Sequence, residues 1–170
     1  MTETEMFYAR IASNVVALLM VVVSWRWRNV GRLLFVLLFL WASQVNLRTA
    51  IGNPAVYLDY APLAHSSTYR DFILGTFARH ITPIVCAIAV GQFGIAALVS
   101  LRGRAVQLGL AGAIVFLLAI VPLGVGSGFP ATLTMALAAA ILLRRRYEDT
   151  LWAPLRWLAS RPVHRAHARP

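Results

Sequence analysis

Long apolar stretches separated by short polar stretches make up most of this chain of 170 residues. A helix needs about 20 mostly apolar residues to cross the hydrocarbon core of a bilayer. We predict spanning helices at residues 6–25, 30–48, 81–101, 105–123 and 130–143. The fifth stretch is short, and we expect its flanking arginines to extend it by reaching outward to the headgroups.

Proline and glycine mark several ends of these predicted helices. Thr82-Pro83 has the pattern of an N-cap followed by proline at the first helical position, which predicts the start of the third helix. Residues 124–128 are rich in glycine and predict a tight turn between the fourth and fifth helices. Gly91, Gly94, Gly109 and Gly112 predict close packing of the third and fourth helices, because small residues let helix backbones approach.

The composition assigns the chain to the membrane proteins. It is 59% hydrophobic and 13% charged, whereas soluble domains are about 45–50% apolar and about 25% charged. A soluble domain of this size could not bury so much apolar surface. The predicted fold class is all-α, a polytopic membrane helical bundle of five helices.

The charge distribution predicts how the bundle is oriented. All 16 basic residues are arginine and the net charge is +10, but the arginines gather at the ends of apolar stretches, which indicates a lipid bilayer and not nucleic acid as the partner. Nine arginines near helix ends fall on one side of the predicted membrane and four on the other. The richer side should be cytoplasmic, which places the N-terminus outside and the C-terminus inside.

Residues 52–80 form a predicted outer connector that is too long to be a passive loop. Within it, residues 68–71 have the spacing of a capping box, with Asp71 in place of glutamate. Tyr69, Phe72, Ile73 and Phe77 then share one helical face, which predicts a short helix on the outer surface.

Residues 147–170 form a predicted cytoplasmic tail. Three leucines lie at helical spacing from Leu151 onward and are accompanied by Trp152, Arg156 and Trp157, a pattern typical of an interfacial helix followed by a basic tail. Trp152, Arg156 and Trp157 are therefore candidates for a cytoplasmic interaction surface.

Three amide side chains fall inside predicted spans, where polar groups are costly and therefore informative. Asn14 and Gln92 lie near the midpoints of their helices, and Gln44 lies nearer the outer face. If the first three helices are neighbours, Asn14 and Gln92 could meet. The alternatives are hydrogen bonds between helices and a pocket for a polar headgroup such as that of a quinone.

A second group of polar side chains gathers at the predicted outer face. Arg48 ends the second helix against the orientation rule, so we expect Asp59 or Asp71 to pair with it; contact with an anion or a quinone carbonyl is the alternative. His80 precedes the third helix, where it would lie in the headgroup layer or exchange protons. Candidates for outer-face interactions are Asn53, Tyr57, Asp59, Tyr60, Tyr69, Arg70 and Asp71, with Asn46 nearby.

Several chemistries lack their residues in this sequence. No predicted span contains the two histidines that a haem between helices requires, and no closely spaced set of cysteine, histidine and carboxylate predicts a metal site. No nucleophile elbow or phosphate-binding glycine loop occurs, and no span carries a carboxylate for coupled transport. We therefore assign no catalytic residues.

The arrangement of apolar and punctuating residues resembles the DoxX-like family of small bacterial membrane proteins. The likeness covers about residues 31–152: an opening helix with the sequence GRLLFVLLFLWA, a polar end followed by Asn53-Pro54, a long connector, a glycine-bearing helix closed by the basic turn at Arg102–Arg104, and a last helix ending in RRRYED. The family has four helices, so this chain adds one in front of a four-helix core.

The resemblance implies a multi-pass protein of the bacterial inner membrane, of a kind often associated with quinone-linked or thiol-linked redox complexes. It predicts a non-catalytic accessory or assembly subunit with other membrane subunits as partners and no cofactor of its own. The alternative is a quinone-interacting subunit, with Arg48, His80, Gln92, Gln44 and Asn14 as its candidate contacts. A small-solute transporter is a third class, which has little support because no broken inverted repeat is present.

Overall fold

The computed structural model describes residues 3–153, and throughout them the regular structure is helical. The described residues contain six α-helices: α1 (Glu3–Arg26), α2 (Arg28–Gly52), α3 (Ser67–Phe72), α4 (Ile81–Ser100), α5 (Arg104–Ala119) and α6 (Ala131–Leu143). Two 3-10 segments, Pro54–Leu63 and Val121–Ser127, and a π-helical turn, Ile73–Phe77, complete the described fold.

The predicted all-α membrane class is confirmed at the level of helix length and composition. Between residues 3 and 153, three helical stretches are long and apolar enough to cross a membrane: Phe7–Arg26, Arg28–Gly52 and Ile81–Ser100. Helices α5 and α6 are apolar but shorter. α5 ends at Ala119, four residues before the predicted limit, because Pro122 has no N–H to donate and disfavours helical geometry in the residue before it.

The five longer helices form a closed ring. α1 packs between α2 and α6, α4 packs between α2 and α5, and α5 packs between α4 and α6. Phe35, Phe39, Val99, Leu110 and Leu142 are almost completely buried in the interior of this ring. α1 therefore does not pack beside α4, which decides where its polar side chains can reach.

Only some of the glycines mediate close packing. A Cβ at Gly109 would lie 2.9 Å from the backbone nitrogen of Val99, so this glycine lets α5 approach α4 closely. A Cβ at Gly112 would lie 3.3 Å from Ile95 Cγ1 in the same interface. The prediction is wrong for Gly91 and Gly94, because a Cβ on either would meet no atom within 4 Å.

Both predicted N-caps are displaced. α4 begins at Ile81 with His80 at the N-cap position, and the Thr82 hydroxyl instead donates a hydrogen bond to the Ala50 carbonyl at 3.0 Å. Ala50 lies in the last turn of α2, where carbonyls have no partner within the helix. α3 begins with Ser66 at its N-cap and has no side-chain capping bond, so the capping box predicted at residues 68–71 does not form.

The connector folds back over one end of the ring. Ile73 and Phe77 are buried in a small apolar cluster with Ala50, Ala61 and Val85. The Tyr69 hydroxyl donates to the Ala119 carbonyl at 2.9 Å, which ties α3 to the end of α5. The apolar face of this segment therefore packs against the bundle, while Phe72 stays exposed.

A buried arginine closes the opposite end of the ring. Arg32 is 2% exposed, and its guanidinium donates to the Val99 carbonyl at 3.1 and 3.2 Å and to the Leu101 carbonyl. Its cationic carbon lies 4.6 Å from the centre of the Tyr147 ring. Backbone bonds from Gly103 to Tyr147 and from Leu151 to Ser100 join the end of α4 to the segment that follows α6.

Candidate functional site

A cavity of about 470 Å³ lies inside the ring at the connector end. Ligand-binding pockets in proteins have volumes of about 300–1,000 Å³, so this cavity is large enough for a small organic ring system. Its wall is mostly apolar, with Phe39, Phe77, Val85, Leu117 and Met135 contributed by different parts of the fold. Such a wall favours a lipid-soluble ligand.

A chain of three polar side chains enters this apolar wall. Asn46 donates through Nδ2 to Gln92 Oε1 at 2.8 Å, and the Tyr57 hydroxyl donates to Asn46 Oδ1 at 2.9 Å. Gln92 is 2% exposed, yet its amide nitrogen forms no hydrogen bond with any residue in the 3–153 range. Gln92 therefore keeps donor capacity at the cavity wall.

Burial raises the pKa of the Tyr57 hydroxyl above its usual value, and the neighbouring Tyr60 raises it further. The phenol is therefore neutral at physiological pH and acts as a hydrogen-bond donor toward Asn46. This fixes the direction of the chain of bonds from Tyr57 through Asn46 to Gln92.

A second buried polar group lines the same cavity. Thr132 on α6 is 5% exposed, and its Oγ1 atom has no hydrogen-bond partner among the described residues. A buried hydroxyl without a partner costs free energy, on the order of 1–3 kcal/mol, so such groups need an explanation. A ligand with a hydrogen-bond acceptor would supply the missing partner.

The cavity opens on the side of α2. Trp41 and Val45 both line it, and these side chains are 66% and 41% exposed. Ser13 contributes the α1 part of the wall. The opening therefore lies where an apolar helix surface faces outward.

The structure brings three of the predicted site residues together. Gln92, Tyr57 and Tyr60 all line the cavity, although the sequence placed Gln92 at membrane depth and the tyrosines in an outer-face group. Tyr57 lies next to Phe77 with ring centres 6.3 Å apart, and next to Tyr60 with centres 6.2 Å apart. Aromatic side chains of the connector thus line the end of the cavity.

Other predicted residues lie elsewhere. Asn14 donates to the Arg10 carbonyl of its own helix at 2.8 Å, so it does not meet Gln92. Gln44 and Arg48 are exposed on α2 and do not line the cavity. Within residues 3–153, Arg48 forms no ion pair with Asp59 or Asp71.

The remaining candidates are on the surface. His80 is exposed, and its Nδ1 lies 3.2 Å from the Thr76 carbonyl of the preceding turn. The exposed outer-face candidates are Asn53, Asp59, Arg70 and Asp71, whereas Tyr69 is half-buried. Trp152 is 44% exposed. Arg156 and Trp157, like most of the predicted tail, lie outside the described residues.

Sequence reasoning missed Thr132 and undervalued Asn46. Threonine is common in apolar helices, so nothing in the pattern around Thr132 distinguishes it from Thr134 two residues later. Asn46 could have been found, because it is one of the few amides inside an apolar helix. Ser43, one turn earlier on the same helix, donates to the Ala89 carbonyl at 2.7 Å and fixes the register of α2 against α4.

No group of three or more histidine, cysteine or acidic side chains that could hold a metal ion occurs among the described residues. Cys86 is half-buried and forms no disulfide with a described residue. The chemistry available at the cavity is hydrogen bonding from amide and hydroxyl groups.

Comparison with known proteins adds no relative: no family model, no curated protein and no solved structure matches this chain. The resemblance to the DoxX-like family therefore stays a prediction from the sequence pattern.

Proposed function

We propose that this chain is a multi-pass subunit of the bacterial inner membrane that binds the polar head of a lipid-soluble molecule, with a quinone as the best-fitting class. The observation that supports this is the Asn46–Gln92 pair in the wall of an apolar cavity that Thr132, which has an unpartnered hydroxyl, also lines. A quinone ring is apolar at its faces and accepts hydrogen bonds at two carbonyl oxygens. Thr132 and Gln92 would each donate to one of them.

The proposal includes five spans with the N-terminus outside. Its support is the gathering of arginine-bearing helix ends at one end of the ring, where Arg145 Nη2 donates to the Trp25 carbonyl at 2.9 Å and Arg28 Nη1 to the Arg146 carbonyl at 3.4 Å. An arginine-rich end is cytoplasmic by the positive-inside rule. The cavity then lies toward the outer face.

Binding is tested with the variant Thr132→Val, which removes the hydroxyl and keeps the shape of the side chain. We expect the protein to fold normally and to bind a short-chain quinone roughly 2- to 10-fold more weakly, the effect of about one hydrogen bond. The measurement is a titration of purified protein in detergent, together with mass spectrometry of the quinones extracted from it.

The matched control is Ser24→Ala. Ser24 carries the other buried hydroxyl without a partner among the described residues, but it lies where α1 approaches α2 and not at the cavity. This variant should bind quinone as the wild type does. Equal loss in both variants, or no quinone binding by the wild type, would contradict the proposal.

A second candidate function, the assembly of a larger complex without a ligand, is favoured by the surface of the connector. Phe72 and Leu74 are 47% and 59% exposed, and they lie beside charged Arg70 and Asp71. A surface that faces lipid carries few charges, so these exposed apolar side chains are available to another protein.

The double variant Phe72→Ser and Leu74→Ser tests this candidate. If a partner subunit binds the connector, it should no longer co-purify with this variant in mild detergent. The control is the double variant Val115→Ser and Leu118→Ser on the exposed face of α5, which should still co-purify with the partner. Retention of the partner by the connector variant would rule out this surface.

A further inference from the structure

The arginine-rich end of the bundle contains two adjoining cavities. One, of about 470 Å³, is lined by Trp25, Arg28, Leu137, Arg144, Arg145 and Arg146 among others. The other, of about 490 Å³, lies around Arg26, Trp27 and Asn29. Arg28 and Arg145 line both cavities, so the two spaces meet at this pair of guanidinium groups.

The two shared arginines are held in place by the backbone. Arg145 donates to the Trp25 carbonyl at 2.9 Å, and Arg28 donates to the Arg146 carbonyl at 3.4 Å. A guanidinium has five N–H donors, so each of these bonds orients its arginine and leaves most of its donors available. These two hydrogen bonds connect the end of α1, the start of α2 and the segment after α6. The remaining N–H groups of both arginines are available at this site.

The positive charge at this site has little compensation. Within residues 3–153, no carboxylate forms an ion pair with Arg28, Arg144, Arg145 or Arg146. The full chain has six acidic residues, and residues 154–170 contain none. Several cations held together without counter-charge favour an anion as ligand.

The apolar part of the site shows what kind of anion fits. Leu137, Ala140 and Ile141 line the first cavity one to two turns before the arginines that follow α6, and Leu137 is 55% exposed. Trp25 and Trp27 are 69% and 52% exposed at the same level, as tryptophans are at a membrane interface. An anion with acyl chains would place its charge among the arginines and its chains along α6.

We propose that these two cavities bind one anionic phospholipid whose headgroup carries two phosphates, a diphosphatidylglycerol. Each cavity takes one phosphate, and Arg28 and Arg145 lie between them and contact both. Basic pockets between membrane helices are suited to such headgroups. The site is at the other end of the bundle from the quinone cavity. A failure of lipid binding would therefore leave the quinone proposal unaffected, and a failure of quinone binding would leave this proposal unaffected.

The full-length protein, purified in a neutral detergent, tests the site by native mass spectrometry and by titration. The ligands are diphosphatidylglycerol, phosphatidylglycerol, phosphatidylcholine and inorganic phosphate. We expect one molecule of diphosphatidylglycerol to bind, more tightly than phosphatidylglycerol, with no binding of phosphatidylcholine. The double variant Arg28→Gln and Arg145→Gln should weaken its binding about tenfold or more.

The matched control is the double variant Arg102→Gln and Arg104→Gln, which removes the same charge at the same end but from residues that line neither cavity. It should keep its lipid. Arg144→Gln is a milder third variant, because Arg144 forms no side-chain hydrogen bond with a described residue, and it should weaken binding without affecting folding.

Four results would overturn the proposal. Equal weakening in the control pair would indicate general attraction between charges, and unchanged binding in the Arg28 and Arg145 variant would place the lipid elsewhere. Competition by inorganic phosphate at equal concentration would identify a site for free phosphate. Binding of a soluble polyglutamate peptide as tightly as the lipid would identify a site for an acidic protein segment.

Discussion

The two ends of the helical ring use polar side chains in different ways. At the arginine end, Arg32 and Tyr147 donate to backbone carbonyls, and Tyr147 bonds Leu142 at 2.8 Å. At the cavity end, Asn46, Gln92 and Tyr57 bond mainly to one another. Bonds to the backbone fix where helices end, whereas a chain of side-chain bonds can rearrange around a ligand. The bonds of Arg32 and Tyr147 therefore hold the fold together, whereas the side-chain bonds among Asn46, Gln92 and Tyr57 leave room for a ligand.

Replacement of Arg32 should have the largest effect of any change considered. Arg32→Leu would leave the carbonyls of Val99 and Leu101, at the end of α4, without donors. Because a hydrogen bond to a charged group contributes about 1.5–3 kcal/mol, we expect the free energy of unfolding to fall by roughly 3 kcal/mol or more. The measurement is denaturant unfolding in detergent.

The exposed Arg104→Leu is the control for that change and should alter stability by less than about 0.5 kcal/mol. Arg32→Lys should lose most of the stability as well, because an ammonium lacks the fork geometry that reaches several carbonyls at once. An Arg32→Leu protein as stable as the wild type would show that the arginine end does not depend on this side chain.

The next largest effect is expected where the connector meets the turn before α6. Gly124 has a φ of 65°, and a Cβ there would lie 2.5 Å from the Leu63 carbonyl oxygen and from His65 Nδ1. Gly124→Ala should therefore destabilise the protein by about 2 kcal/mol, with faster proteolysis of the connector as the readout. Gly128→Ala also has a positive φ, of 79°, but meets no atom within 4 Å. Gly128→Ala should therefore lower the free energy of unfolding by less than Gly124→Ala does. An equal decrease in the two variants would show that the effect comes from backbone strain alone.

Tyr147 gives the arginine end a dependence on pH. Burial raises the pKa of its hydroxyl to about 12, from a model-compound value of 10.0. The unfolded chain therefore loses this proton before the folded chain does, and the stabilisation present below pH 10 is lost as the pH rises toward 12. The total change is on the order of 2 kcal/mol.

Tyr147→Phe isolates this effect. The variant should lose about 1 kcal/mol at neutral pH, the contribution of its bond to Leu142. Its stability should then fall less steeply than that of the wild type above pH 10. Parallel unfolding curves between pH 9 and about pH 12 would contradict the role of Tyr147.

The smallest effect is expected at the cavity. Tyr57→Phe removes the donor to Asn46 Oδ1 but leaves a cavity in which water can replace it. We expect stability to change by less than about 1 kcal/mol, while quinone affinity falls about 2- to 5-fold because Asn46 and Gln92 become free to turn. A loss of stability as large as that of Arg32→Leu would show that both ends serve the fold alike.

The helices and their apolar character could be predicted from the sequence because these depend on neighbouring residues. The helix starts and ends agree with the prediction to within about four residues, and the end of α5 differs because of Pro122. The predicted cap and packing roles failed where a side chain or a helix face met a distant part of the chain. Thr82 caps nothing in its own helix because the Ala50 carbonyl of α2 is within reach. Gly91 and Gly94 face open space although Gly109 and Gly112 do not, since only packing distinguishes them.

The candidate site could be predicted only in part, for the same reason. Gln92 stands out in an apolar helix, but its partner is Asn46 and not Asn14, because α4 packs against α2 while α1 packs against α6. Arg32 appears in the sequence as one more arginine at a helix end, and its burial follows from where α4 stops.

The sequence by itself determined an apolar all-helical chain with its arginines gathered at certain helix ends, because hydropathy, proline and glycine act locally. Only the tertiary structure decided the order of helices in the ring, the burial of Arg32 and the meeting of Asn46, Gln92, Tyr57 and Thr132 at one cavity. The physical reason is that an apolar helix surface looks alike on the side facing lipid and the side facing protein. Which faces pack together is therefore settled by shape and by a few hydrogen bonds across the bundle.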